Sequence, residues 1–229
     1  MSDVPAVSLV CLDLANIVID GAVVERVFAE AIATQGIVAG TQDYVRSMVR
    51  FDRAKGRPPA DVLNEIFEGD ELRAQAASLA FDRSFRAAAE RFGVAIPSDV
   101  VGVLGKISGS GAKVCLISAL PRGACSEILD RLCRAGAADH ALCADDAPRG
   151  FPWPDPVLTA MLRLGAGDVR EVAVISATES GLLAGHRSGA RIVAGVGSGP
   201  RRLGTLKQAG ATHVVDNIAA LSDLVIGGG

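Results

Sequence analysis

Short apolar runs punctuate this 229-residue chain, and in its second half they alternate with amphipathic stretches. The first run, Val7–Leu12, carries no helical period and stops at Asp13, which predicts a strand buried on both faces. Apolar positions then return at helical spacing, at Val23, Val24, Val27, Ala31 and Ile32, until Gly36 halts them. From Thr41 to about Phe92 the text is helical and charged, interrupted at Gly56, Pro58 and Pro59, with no stretch that reads as a strand. A small unit of three or four helices is predicted there.

Beyond Pro97 the pattern changes. Ser98 reads as the N-cap of a helix through Ile107, with a turn at Gly109–Gly111. Strands are predicted at Lys113–Ser118, Ala141–Ala144, Val172–Ser176, Ala190–Val196 and His213–Val215. Between them fall helices at Arg122–Arg134, with Leu129 and Leu132 inward, at Asp155–Leu164, opened by prolines, at Ser180–Ser188 and around Leu203–Ala209. A last helix near Ile218–Leu224 completes the series, and the tail Gly227–Gly229 is expected to be disordered.

Strands alternating with helices imply an α/β fold with a parallel sheet wound on both faces. Ligands in such sheets bind at the carboxyl ends of the strands. Residues 20–96 leave this core just after the first strand and return before the second, so they must sit over the edge where Asp13 emerges, as a cap. The core is then residues 1–19 and 97–229.

Composition narrows the classes of function. Hydrophobic residues make up 49% of the chain, enough for a substantial core, and the formal net charge of −3 offers no general attraction to nucleic acid or anionic membrane. No apolar run approaches the roughly 20 residues of a membrane helix, and the opening MSDVPAVSLV lacks the basic and apolar regions of a signal peptide. A cytoplasmic protein is expected. The five cysteines, Cys11, Cys115, Cys125, Cys133 and Cys143, include no C-x-x-C pair, which argues against a disulfide framework or a zinc site. Cys125, near a helix start, is the least unreasonable nucleophile among them.

The segment LVCLDLANIVIDGAVVERVFAEAIATQGI resembles the opening of the phosphonatase-like branch of the haloacid dehalogenase (HAD) superfamily. The resemblance continues through KVCLISALPRGACSEILDRL, ADDAPRGFPWPDPVLTAM and EVAVISATESGLLAGHRSGARIVAG, in the family's order and spacing. It implies a HAD-like Rossmannoid parallel-sheet core with an inserted small helical cap. It also implies a chemistry: an aspartate at the end of the first strand attacks phosphorus, a second-strand hydroxyl and a later-loop cation hold phosphate, and carboxylates after the fourth strand hold Mg²⁺. Related phosphonatases associate through their caps, so the resemblance implies a homodimer.

The inheritance is partial. Asp13 stands at the nucleophile position, and Ala15 matches the phosphonatase branch. Asn16 begins the Asn16-Ile17-Val18 replacement of the usual Gly-Thr-Thr turn. Ser118 fits the second-strand hydroxyl. In the third motif Gly150-Phe151-Pro152 lacks the family's Arg or Lys, and Arg149, two residues earlier, should point elsewhere. The fourth motif, Gly-Asp-Thr-x-x-Asp in the family, reads Ser176-Ala177-Thr178-Glu179-Ser180-Gly181, so both magnesium carboxylates are gone, with Glu179 between them a poor substitute. The cap lysine that forms a Schiff base in phosphonatases aligns with Asp52, and Lys55 would need a register shift to reach the site.

These losses predict that no metal or other cofactor is held. Without metal or loop cation, a carboxylate approaching a phosphate at 4 Å meets about 4 kcal/mol of repulsion per pair of unit charges, at an effective dielectric of 20. That is roughly three powers of ten in rate. With few cations near it and Phe151 beside it, Asp13 should have a carboxyl pKa raised by desolvation. The expected site is therefore Asp13 as catalytic group, with Ala15, Asn16, Ser118, Phe151, Ser176 and Thr178 against a small-molecule ligand. Simpler readings stand beside these: Asp13 retained by structural inertia, Ser118 serving its turn, Phe151 and Trp153 packing under their loop, and Arg46, Arg50, Asp52 and Arg53 forming a mostly solvated helix face whose underside could lend one or two residues to a ligand. Three functions follow: a metal-independent enzyme acting on a small organic molecule, a pseudoenzyme binding a ligand or protein partner, and a residual Mg²⁺-dependent phosphatase or phosphonatase.

Overall fold

The computed structural model describes residues 6–92 and 97–227. Strand β1 (Leu9–Asp13) is followed by four helices, α1 (Gly21–Ala33), α2 (Gln42–Arg53), α3 (Pro59–Ile66) and α4 (Glu71–Phe92). The remainder alternates: α5 (Ser98–Gly109), β2 (Lys113–Ile117), α6 (Arg122–Arg134), β3 (His140–Leu142), α7 (Asp155–Leu164), β4 (Val172–Ser176), α8 (Glu179–Ser188), β5 (Ile192–Val196), α9 (Pro200–Gln208), β6 (His213–Val215) and α10 (Leu221–Ile226). All strand pairs are parallel, in the order β3-β2-β1-β4-β5-β6.

This order explains why the site falls where it does. The chain builds outward from β1 through β2 to β3, then returns to the other side of β1 with β4. The crevice at such a reversal, beyond the carboxyl ends of the strands, is where open α/β sheets bind ligands. The register sets Asp13 beside Ile117 on one side, and Leu12 beside Ile175 on the other, so that Ser176 follows at the strand tip next to Asp13.

Period-two alternation builds two buried faces from the same strand. Val10 and Leu12 join one hydrophobic cluster with Leu104, Leu116 and the cap residues Phe28, Phe51 and Phe81. Leu9 and Cys11 join the cluster on the opposite face, with Cys115, Ile117, Val174 and Phe151. The helical insert is therefore fused to one face of the sheet, with Phe28 of α1 stacked on Phe51 of α2 at 4.1 Å between ring centroids.

Several boundaries differ from the sequence reading by a residue or two, and at four of them a local reason is visible. Pro97, not Ser98, occupies the N-cap of α5 and makes no side-chain cap bond; Ser98 is the first helical residue. Strand β3 stops at Leu142 because Ala144–Asp146 wind into a 3-10 turn, closed by the Cys143 amide donating to Asp146 Oδ2 at 2.8 Å. Helix α9 begins at Pro200, a residue preset for a first turn, after Gly199 at φ +86°. The final segment is a 3-10 turn, Ile218–Ala220, running into α10. The expected cap limit at residues 93–96 and the tail residues Gly228 and Gly229 lie outside the described residues.

Glycines set the distance between α8 and the sheet. A Cβ on Gly185 would stand 2.9 Å from Val174 Cβ and 3.0 Å from its Cγ1. Gly185→Ala should therefore lose more by pushing α8 off β4 than the about 1 kcal/mol it gains in helix propensity. A net loss of about 1–3 kcal/mol in urea unfolding is expected. A variant as stable as the parent, or more so, would show that the helix moves freely.

Candidate active site

Asp13 is 1% exposed, and every hydrogen bond at its carboxylate comes from its immediate neighbours. Oδ1 accepts from the Ala15 amide at 3.0 Å. Oδ2 accepts from the Ser176 hydroxyl at 2.7 Å and from the Thr178 hydroxyl at 2.9 Å. Both hydroxyls are oriented from behind, because the Thr178 amide donates to Ser176 Oγ at 2.9 Å and the Gly181 amide donates to Thr178 Oγ1 at 3.1 Å. A hydroxyl that accepts a backbone N–H turns its own proton away, here toward Asp13. Thr178 is at once the N-cap of α8 and a donor to Asp13.

Burial raises the Asp13 carboxyl to a pKa of about 6, and the three hydrogen bonds only partly oppose it. The direction is the one expected from the sequence. The surroundings are not, because Phe151 is no neighbour of a ligand space. It is 3% exposed and packs in the core cluster with Cys115, Ile117 and Val157. Packing under the loop is its role.

Two cavities flank the carboxylate. A narrow one of about 60 Å³ is lined by Ala15, Asn16, Phe51, Lys55 and Ser118, among others. A wider cleft of about 300 Å³ is lined by Asn16, Thr178, the cations Arg53, Lys55 and Arg202, and the acids Asp52 and Glu179. Asp13 lines neither: it lies behind Ala15 and Thr178. The cap closes over it at Gly56, whose φ of +88° suits glycine and where a Cβ would stand 2.4 Å from Thr178 Oγ1. A second close approach, Gly150 under Pro58, where a Cβ would meet the proline ring at 2.3 Å, fastens the same cap turn to the core.

Six of the seven residues expected from sequence thus gather at one place. Asp13, Ser176 and Thr178 form the buried network, Ala15 contributes its amide and a cavity wall, and Asn16 faces both cavities. Asn16 holds a left-handed φ of 58°, and the Leu14 carbonyl in the same turn accepts the amides of Ile17, Val18 and Ile19. Ser118 lines the narrow cavity while its Oγ accepts the Leu120 amide at 3.1 Å, so it serves its turn as well. Phe151 stands apart.

Three cations stand at the cleft, of which only Arg202 was wholly absent from the sequence reading. Lys55 lines both cavities without any register shift and is ion-paired with Asp52. Arg53, read as part of a solvated face, lines the cleft and has no ion-pair or hydrogen-bond partner among the described residues. Arg202, from α9, lines the cleft and donates to the Ala177 carbonyl. The expectation of few cations around Asp13 is corrected accordingly. Arg149 does point elsewhere, donating to both oxygens of Asp155 and lying 4.3 Å over the Trp153 ring. Arg122 is tied to Asp146 at 2.5 Å.

The Mg²⁺ that the resemblance implies does not fit these donors. Both of its carboxylate positions are occupied by residues without a ligand, Ala177 and Gly181. At Gly181 even a Cβ would stand 2.7 Å from Asp13 Oδ2 and 2.4 Å from Ser176 Oγ. The hydroxyls of Ser176 and Thr178 both donate to Oδ2. Among the described residues no group of three or more His, Cys, Asp or Glu side chains is placed to hold a metal ion. No described helix is long and apolar enough to cross a membrane.

The fold and the strand-tip aspartate define a HAD-like α/β protein, and comparison with known proteins agrees. Phosphonoacetaldehyde hydrolase from Pseudomonas entomophila (strain L48) is 27% identical over 172 residues, covering 70% of this chain and 57% of the relative. The Pseudomonas putida enzyme of that name is 32% identical over 111 residues, covering 46% and 40%. The chain spans about half the length of the curated relatives it matches. A crystal structure of a phosphonoacetaldehyde hydrolase-like protein from Oleispira antarctica superposes with a TM-score of 0.77 at 20% identity, covering 97% of this chain and 92% of the other. No family model matches. The sequence likeness is thus to phosphonoacetaldehyde hydrolases, and the structural likeness shows the HAD-like α/β fold.

The raised carboxyl has a signature in stability. Folded Asp13 holds its proton up to about pH 6, whereas an unfolded aspartate releases it near pH 4. Between these values the folded state binds more protons than the unfolded one, so Asp13 makes stability fall as pH rises from about 4 to 6 and level off above. The decline should be of order 2–3 kcal/mol in the parent. It should be absent in Asp13→Asn, as read from urea unfolding at several pH values. Parallel curves for the two proteins would contradict the raised pKa.

Proposed function

We propose that this chain is a repurposed HAD-like protein: a metal-independent enzyme performing acid–base chemistry on a small organic molecule bound between core and cap. The observation that carries the reading is the Asp13 network, a buried carboxyl near pKa 6 held by hydroxyl and amide donors where the superfamily places metal carboxylates. A carboxyl titrating close to neutrality can both give and accept a proton, which suits general acid–base catalysis.

The residues divide the work. Arg53, Lys55 and Arg202 attract an anionic group of the ligand into the cleft, while Asn16 borders both cavities and can orient a polar end of the ligand. Asp13 exchanges a proton with the reacting atom through Oδ1, which carries a single internal donor, while Ser176 and Thr178 steady the charge on Oδ2. The cap turn at Gly56 must lift for the ligand to reach Oδ1, and closure over it would exclude water. Phosphonoacetaldehyde hydrolysis itself, the activity of the relatives, is not carried over, because the aligned cap-lysine position is Asp52.

A second reading, a pseudoenzyme that binds a ligand without turnover, is favoured by one observation: Asp13 lines neither cavity. Turnover of a panel of small carboxylates, aldehydes, phosphonates and phosphate esters separates the readings. The proposal expects turnover unchanged by EDTA, a pH profile inflecting near 6, and a loss of about 10²–10⁴-fold in Asp13→Asn. Activity restored only by Mg²⁺ would overturn it, and saturable binding with no product anywhere in the panel would transfer the conclusion to the pseudoenzyme.

A further inference from the structure

A second basic space lies in the cap, on α2 and the elements facing it. It is a groove of about 790 Å³, within the size range of ligand sites. Five arginines line it: Arg46, Arg50, Arg53, Arg57 and Arg73. Asp43 and Glu65 are its only acidic lining residues, which leaves a formal surplus of three positive charges. The chain as a whole is acidic, so this concentration is local.

The arrangement follows from helix geometry. Arg46, Arg50 and Arg53 are spaced i, i+4, i+7, which puts them on one face of α2, with successive rises of about 6 and 4.5 Å. Arg57, from the turn after α2, and Arg73, from α4, complete the lining. Several of these side chains are already held. Arg50 donates to the Glu65 carbonyl at 2.6 Å, Arg57 to Glu65 Oε1 at 2.5 Å, and Arg73 to the Gln35 carbonyl at 2.5 Å while lying 4.7 Å over the Phe67 ring. Each such bond uses one or two of a guanidinium's five N–H donors, and the others remain for a ligand. Arg46 is engaged only by a largely exposed pairing with Asp43 at 3.7 Å, and Arg53 by no described partner. Guanidinium forks match phosphate oxygens two at a time.

We infer that this groove is a binding site for a small anion carrying two or more phosphate groups, separate from the Asp13 centre. Its ladder of fixed and free guanidiniums suits successive phosphates better than a single one, and its surplus charge matches an oligophosphate. Arg53 lines both this groove and the cleft beside Thr178, and Arg57 lines both the groove and the narrow cavity, so an occupant here shares two side chains with the proposed reaction site.

Calorimetric titration of the whole chain with sodium tripolyphosphate, in metal-free buffer of low ionic strength, tests the site. Saturable binding at one per chain is expected, with orthophosphate at least tenfold weaker. Arg46→Glu and Arg53→Glu, each checked for parental thermal unfolding, should weaken tripolyphosphate at least fivefold. The double variant Lys55→Ala/Arg202→Ala, which alters the cleft and the narrow cavity but no residue lining the groove, and Asp13→Asn should leave it within twofold. No saturable binding, undiminished binding by both glutamate variants, or loss in the Lys55/Arg202 variant would overturn the assignment. None of these results depends on whether Asp13 catalyses a reaction.

Discussion

Two hydroxyl protons converging on one carboxylate oxygen organise this protein. Asp13 lies at the tip of the central strand, Ser176 at the tip of the strand beside it, and Thr178 at the start of the helix that follows. The bonds from Ser176 and Thr178 to Oδ2 tie these elements at a single point, and Thr178 cannot leave without also uncapping α8. The space for this arrangement is made by absences. Gly181 has no Cβ to collide with Oδ2, and Gly56 has none to keep the cap turn off Thr178.

The charge balance follows from that contact. A buried carboxylate without a cation is costly, and part of the cost is avoided by taking up a proton, which is the meaning of its raised pKa. The cations are nearby but line the cleft rather than touch the carboxylate: Lys55, Arg53 and Arg202. These cations bring positive charge to a ligand space beside the carboxylate, and the cap groove extends it through Arg53 and Arg57. What distinguishes the site is the layering of a neutralisable acid inside and guanidinium groups outside.

Much of the fold was legible because short buried strands and amphipathic helices leave periodic traces. Asp155–Leu164, Val172–Ser176 and His213–Val215 fall where the pattern puts them. Boundaries slipped where a local contact decides, as at Pro97, or where Asp146 curls the chain after β3. In the site, Asp13, Ala15, Ser176 and Thr178 could be read through the motifs that the resemblance supplies, which fall at neighbouring strand tips. Lys55 and Arg202 could not, because their places depend on how the cap turn and α9 fold over that edge, which no local period encodes. Phe151 failed for the converse reason: an aromatic beside prolines has the same appearance in sequence whether it walls a pocket or fills a core.

The central claim is that hydroxyls hold Asp13 in the place where a metal would. It is tested most directly by following the Asp13 side-chain carboxyl carbon by ¹³C NMR through a pH titration, with and without Mg²⁺. The account predicts a midpoint near 6 that Mg²⁺ leaves unmoved. A midpoint near 4, or one driven down by the ion, would contradict it.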